Sequence, residues 1–337
     1  MSKQFETVQM SDIARLAGVS KSTVSRALAD SPLVNEKTKA LVREVAERHN
    51  YRINVAARNF RLKESLTVAL VMPAAAGVEW RISDPFFLEM TAAVAEALDE
   101  RGHQLLLTRT TPQSGEWLEE FVAKRLADGL ILIGQGTQHS TIERIARTYR
   151  GISVWGSPVS GASYPVVGSD NHLGGLRATE HLVGRGCRRI ALVGYREDPE
   201  IRARYMGYRD ALAAAGISCD EALTFGPVAG DATGNDTLRR LVAAKDRFDG
   251  VFAVSDLQAV KLMTALMQHG VSIPKDCAVV GYDDLPIATW YHPALTTVHQ
   301  SREMGAQILV DNLLAAIEGR DTVSVKLDPE LIVRDSA

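Results

Sequence analysis

From Leu66 onward, short apolar runs alternate with longer amphipathic stretches, and this alternation constrains the fold more than any other feature of the chain. Apolar runs at 66–73, 104–108, 129–134, 152–156, 166–169, 189–194, 250–254 and 277–281 read as strands. Between them, 85–101, 115–127, 140–149, 173–183, 203–215, 236–244 and 257–269 carry helical spacing. Strands apolar at nearly every position are buried on both faces, which requires parallel sheets covered by helices on either side. The series resumes near residue 165, so two α/β subdomains are expected, with a cleft between the strand ends. Met304–Ile317 adds one more helix, and Leu331-Ile332-Val333 a late strand.

The first fifty residues follow a different pattern. Ser11 is placed to cap a helix running to about Ala17, and Ser20 to cap a second running to about Ala29. Gly18 between them tolerates the positive φ of a tight turn. Ile13, Leu16, Val19, Val24 and Leu28 are spaced to pack the two helices together, and Asn35 opens a third whose Leu41, Val42 and Val45 complete a small core. The exposed side of the second helix presents Lys21, Ser22, Thr23, Ser25 and Arg26. Short hydroxyls and long cations on one helix suit phosphate contacts and base edges in a major groove. Taken alone, the same residues also describe an ordinary helix with a solvated face. Beyond Tyr51, Val55–Arg61 makes at most two helical turns, too short to hold alone in water. Its Phe60 stands between Arg58 and Arg61, either as a linker residue or as a minor-groove wedge that orders on DNA.

The net charge of −3 over 337 residues hides an asymmetry. Residues 1–63 carry +6 and the remainder −9, as expected when only the head meets nucleic acid. Cys187, Cys219 and Cys277 are too few and too widely spaced for a zinc site or a disulfide framework. No run approaches the 18 or so apolar residues of a membrane span, and Met1–Met10 has no leader-like apolar core, so a cytoplasmic protein is expected.

Four stretches together make the chain similar to the lactose-repressor (LacI/GalR) family. They are Ser11-Asp12-Ile13-Ala14 with Ala17–Ser20 and Thr23–Arg26; Tyr51-x-x-Asn54-x-x-Ala57-Arg58; Val279–Asp284; and Pro293-x-Leu295–Val298 followed by Met304-Gly305. The resemblance implies a small all-α helix-turn-helix head (1–50), a hinge (51–64) and a periplasmic-binding-protein-like α/β body (65–337). The body would hold two doubly wound parallel-sheet subdomains, one of about 65–164 and 296–325, the other of about 165–295 and 326–337. It implies that Lys21, Ser22 and Arg26 face bases, that Ser20, Thr23 and Ser25 hold phosphates, and that Asn54, Ala57 and Phe60 serve the hinge on DNA. Two departures stand out: Ile53 replaces the usual hinge proline, and Phe60 replaces a minor-groove leucine. In the cleft, the resemblance assigns effector contacts to Phe86, Phe87, Arg204, Ser255 and Asp283. Trp155 and Asp170 are weaker candidates, read more simply as a core tryptophan and a helix-capping aspartate.

An enzyme on this fold would need a phosphate loop or a nucleophile. The first strand runs into Pro73-Ala74-Ala75-Ala76-Gly77 rather than GxGxxG, and no Walker loop, HExxH or GxSxG is present. A transport protein would not need a net-basic segment of some sixty residues in front. The expectation is therefore a DNA-binding regulator, most simply a repressor, without cofactor or metal. Its effector is read as a mono- or disaccharide, with a purine or nucleoside as the alternative. One head reads one half-site, so a homodimer on a near-palindromic operator follows. Because no heptad tail follows the last strand, a dimer is expected rather than a tail-linked tetramer.

Overall fold

The computed structural model describes residues 8–51, 65–73, 84–110, 117–135, 138–159, 161–195, 197–228 and 236–337. Its contacts divide into two units, Met1–Ser65 and Leu66–Ala337.

The first unit holds α1 (Met10–Leu16), α2 (Lys21–Leu28) and α3 (Glu36–Arg48). The cap of α1 is Gln9, not Ser11: its side chain and that of Asp12 close a reciprocal capping box. Ser20 caps α2 as expected, accepting from the Thr23 N–H at 3.1 Å, and Asn35 caps α3 through Thr38 at 2.9 Å. Gly18 sits at φ +66° in the turn. Ile13, Ala14, Ala17, Val24, Ala27, Val34, Val42 and Val45 form the core. Leu16 and Leu41, expected in it, are 45% and 43% exposed. The positions they were expected to fill are taken by Ala14, Ala17, Ala27 and Val34 instead. Lys39 is buried along its stem and bridges Asp30 at 3.0 Å and Glu36 at 2.8 Å, tying the α2–α3 loop to α3.

The second unit contains two six-stranded sheets. The first is built from β1 (Thr67–Pro73), β2 (Gln104–Thr110), β3 (Gly129–Ile133), β4 (Ile152–Trp155), β5 (Val166–Ser169) and β11 (Val325–Leu327), in the order β11-β5-β4-β3-β1-β2. All its pairings are parallel. The second comprises β6 (Ile190–Val193), β7 (Thr224–Phe225), β8 (Gly250–Ala253), β9 (Ala278–Asp283), β10 (Thr296–His299) and β12 (Glu330–Ile332), in the order β12-β10-β9-β8-β6-β7. There only β12 runs antiparallel, against β10.

The strands are apolar on both sides because both faces are covered. Val68, Leu70 and Met72 of β1 pack under α4 (Pro85–Asp99) and α12 (Arg302–Ile317), whereas Ala69 and Val71 meet α5 (Trp117–Ala123) and α6 (His139–Ala146). In the second sheet, Leu192, Phe252 and Val280 face α7 (Asn171–Gly184) and α8 (Pro199–Ala214). Val193, Val251 and Val279 face α9 (Asp236–Ala243) and α10 (Asp256–Gln268). A short α11 (Pro286–Trp290) follows β9.

The chain passes between the lobes three times: after Ser169, between His299 and Arg302, and between Leu327 and Glu330. The expected changeovers near 165, 295 and 325 place β5, β10 and most of β11 in the wrong lobe. Val166–Ser169 completes the first sheet and Thr296–His299 belongs to the second. Alternation reveals that a strand exists, not which sheet it joins.

Helices α7 and α8 cross on glycine. A Cβ at Gly175 would lie 2.1 Å from the Arg204 carbonyl oxygen, and one at Gly207 2.0 Å from that of His172. Such contacts with backbone cannot be relieved by a rotamer change. Gly207→Ala is expected to cost about 3 kcal/mol, at the upper end of overpacking penalties, read as a lowered urea midpoint with unchanged m-value. Stability equal to the parent's would show that the helices separate freely.

Candidate functional site

The polar side of α2 is organised around its cap. Ser20 Oγ lies 2.8 Å from both Ser22 Oγ and Thr23 Oγ1, so three hydroxyls cluster at the helix N-terminus. Lys21, Ser22 and Arg26 are exposed, while Thr23 and Ser25 are half-buried at the edge of the same face. A positive helix end with hydroxyl and cationic side chains is suited to phosphate. Asn54, Ala57 and Phe60 lie outside the described residues.

In the body, the C-terminal ends of the strands surround a cavity of about 180 Å³. All five cleft residues named from the sequence line it: Phe86, Phe87, Arg204, Ser255 and Asp283. Asp84 caps α4, its carboxylate accepting from the Phe86 N–H at 3.0 Å, and Pro85 begins the helix. That local start sets Phe86 near Trp155, ring centroids 6.4 Å apart, and edge-on to Phe87 at 6.1 Å. Trp155 is at once core and cavity wall. Asp170 does not line the cavity; it caps α7 through Leu173 and pairs with Lys326 at 2.7 Å.

Arg204 is buried, and its guanidinium stacks 3.5 Å above the centroid of Tyr282. Nε donates to Asn171 Oδ1 at 2.8 Å and Nη1 to the Val254 carbonyl at 2.5 Å. The Asp283 carboxylate lies 3.9 Å from Nη1. Ser255 caps α10, so its hydroxyl stands at the cavity edge.

Asp283, the last residue of β9, and Asp284 after it have φ of +116° and +52°, a conformation costly for two non-glycine residues in succession. The next crossover holds them there. Arg302 donates through Nη1 to the Asp283 carbonyl and through Nη2 to that of Asp284 at 3.2 Å. Gln300 donates to Asp283 Oδ1 at 2.6 Å. Arg334 at 2.6 Å and His299 at 3.1 Å grip the Asp284 carboxylate. Despite its burial, these two hydrogen bonds keep the Asp284 carboxyl below its usual range. Burial pushes Asp283 up to about 7, against the pull of Arg204 and with a push from Asp84. Asp256, hydrogen-bonded to Leu285 N at 2.7 Å and to Thr297 Oγ1, is also held well above its usual range, by burial first and then by Asp283.

The sequence reading did not pick out Asn171, Gln258, Gln300 or Glu200, which also line the cavity. Glu200 had a usable signal: it stands one helical turn before Arg204, on the same face.

A head built to grip DNA and a body whose two lobes enclose a polar, aromatic-walled cavity define a class, the ligand-responsive DNA-binding regulators. The comparisons agree. Residues 9–54 match the family model of bacterial regulatory proteins, lacI family, and residues 179–337 a periplasmic binding protein-like domain. The ribose operon repressor of Escherichia coli (strain K12) is 32% identical across 97% of this chain and 99% of its own length. A solved transcriptional regulator CelR–cellobiose complex is 31% identical, with a TM-score of 0.70 over 98% of this chain and 100% of that one. The lac repressor dimer bound to operator superposes with a TM-score of 0.81 at 23% identity over 98% and 99% of the two chains, a likeness of fold. The chain belongs to the LacI family.

Proposed function

We propose that the protein is a homodimeric repressor whose grip on a near-palindromic operator is set by a small sugar held between the two lobes of its body. The observation that carries this reading is the cavity itself. An aromatic wall of Phe86 and Trp155 faces Arg204, Ser255 and Asp283, the pairing of ring faces with hydrogen-bonding groups that a sugar's C–H and O–H faces call for. The ribose repressor and the cellobiose complex among its relatives support a sugar over the purine alternative. In the head, Lys21, Ser22 and Arg26 read bases; Ser20, Thr23 and Ser25 hold phosphates. Asn54, Ala57 and Phe60 belong to the hinge, with Phe60 entering the minor groove. The protein acts where its operator is, in the cytoplasm, and needs neither cofactor nor metal.

A thermal-shift panel of mono- and disaccharides tests the effector, because a ligand bound only by the folded state raises its melting temperature. No shift with any sugar, alongside a clear shift with a purine, would reverse the assignment. Assembly has its own test. Sedimentation is expected to find a dimer at micromolar concentration, and a monomer with and without operator would overturn that part.

A further inference from the structure

Glu200 joins the two lobes at the cavity. It lies on the first turn of α8, in the second lobe, yet its Oε1 accepts from the backbone N–H of Ser157, which follows β4 in the first, at 3.2 Å. The fit is close, since a Cβ on neighbouring Gly156 would come within 2.9 Å of the same oxygen. Burial raises the Glu200 carboxyl, and Asp198 adds to that against the opposing pull of Arg204. Asp283, a buried carboxyl of the same cavity, lies 3.9 Å from Arg204 Nη1 and is likewise pushed up by burial.

Among the described residues, Arg204 is the one cation lining the cavity. Its Nε and Nη1 are committed to Asn171 and Val254, and its face to Tyr282. Against that one cation the same lining sets four carboxyls, those of Asp84, Asp198, Glu200 and Asp283. In their ionised form these carboxyls only accept, so a ligand must bring donors. A phosphate or carboxylate on the ligand brings acceptors and a like charge toward described walls that hold one cation and four carboxyls, where repulsion is weakly screened.

Resting on the sugar reading above, we propose that the cavity selects an uncharged, hydroxyl-rich ligand and turns away anionic sugars, and that Glu200 enforces the choice. Its carboxylate accepts from a ligand hydroxyl while still bonded to Ser157, so the group that recognises the ligand also bridges the lobes.

The test uses the full chain and calorimetry. The probes are D-ribose, D-glucose and cellobiose, set against ribose 5-phosphate, glucose 6-phosphate and glucuronic acid. A neutral probe is expected to bind at least 100-fold more tightly than its anionic counterpart. Glu200→Gln, which keeps the shape and an acceptor for Ser157 but removes the charge, is expected to narrow that ratio at least tenfold. Glu200→Ala, which also removes the bridge, is expected to weaken the neutral probe further than Glu200→Gln does. An anionic sugar binding as tightly as the neutral one, or an unchanged ratio in Glu200→Gln, would overturn the proposal while leaving the sugar reading intact. Silence from every probe would instead overturn the sugar reading, and this inference with it.

Discussion

Arg204→Ala and Asp283→Ala are each expected to lose effector affinity by roughly 100-fold, while operator binding without effector persists. The magnitude follows from hydrogen bonds to charged groups, worth about 1.5–3 kcal/mol each, with tenfold in affinity for every 1.4 kcal/mol. Arg204 is held by Asn171, Val254 and Tyr282, so its loss also opens a hole, and melting temperatures must accompany the titrations. Asp283→Asn is the cleaner variant because it keeps the volume and an acceptor for Gln300. The pH dependence has a defined sign. Burial lifts the Asp283 carboxyl to about 7, so it is largely protonated at pH 6 and ionised at pH 8. The ionised form is the stronger acceptor for a ligand hydroxyl, so effector affinity is expected to rise across that interval and then level off. Asp283→Asn is expected to flatten the profile. A parent profile already flat from pH 6 to 8, or a normal effector response in both alanine variants, would remove these residues from the site.

The second large effect concerns the head. Arg26→Ala is expected to abolish specific operator recognition while weakening binding to unrelated DNA only slightly. A good base contact contributes roughly 1–3 kcal/mol, and a dimer makes it twice, so the combined loss is about 2–6 kcal/mol. Lys21→Ala, if it too removes a base contact, is expected to relax specificity at one position of each half-site. Mobility shifts at fixed physiological salt, on operator and on scrambled sequence, separate the two kinds of loss. Salt must be held constant because phosphate contacts alone change affinity steeply with it. Undiminished operator affinity in Arg26→Ala would mean that α2 is not the reading helix.

How much of this was legible in the sequence depended on the range of the interactions involved. Local chemistry read well: Ser20 and Asn35 cap their helices, and Gly18 takes the positive φ of the turn. The apolar strands sit in covered parallel sheets because burial on both faces leaves a direct mark on composition. The cleft residues Phe86, Phe87, Arg204, Ser255 and Asp283 converge on one cavity because strand ends and helix starts meet there. Short elements escaped. Thr224–Phe225 and Pro286–Trp290 are too brief to show periodicity, and helical spacing alone starts the helix of Pro199–Ala214 four residues late although Asp198-Pro199 marks its start. Decisions made by distant partners escaped as well. The exposure of Leu16 and Leu41, the sheet that Val166–Ser169 joins, and the reach of Gln300 to Asp283 all depend on residues far away in the chain.

The triple passage between the lobes also governs how the protein can be made. The first sheet gains its edge strand and the α12 cover over Val68, Leu70 and Ile131 only from Arg302–Leu327, some 130 residues after β5. As the chain leaves the ribosome, the first lobe therefore stands half-covered through the synthesis of nearly all of the second. Its apolar face is open to chaperones, or to a neighbouring nascent chain, for roughly 7–26 seconds at about 5–20 residues per second. The second lobe waits as well, since β12 and Ser336, which donates to the Val279 carbonyl, arrive last. Neither lobe can be excised as a contiguous segment, and a ribosome that stalls before about residue 327 leaves two unfinished halves rather than one finished domain.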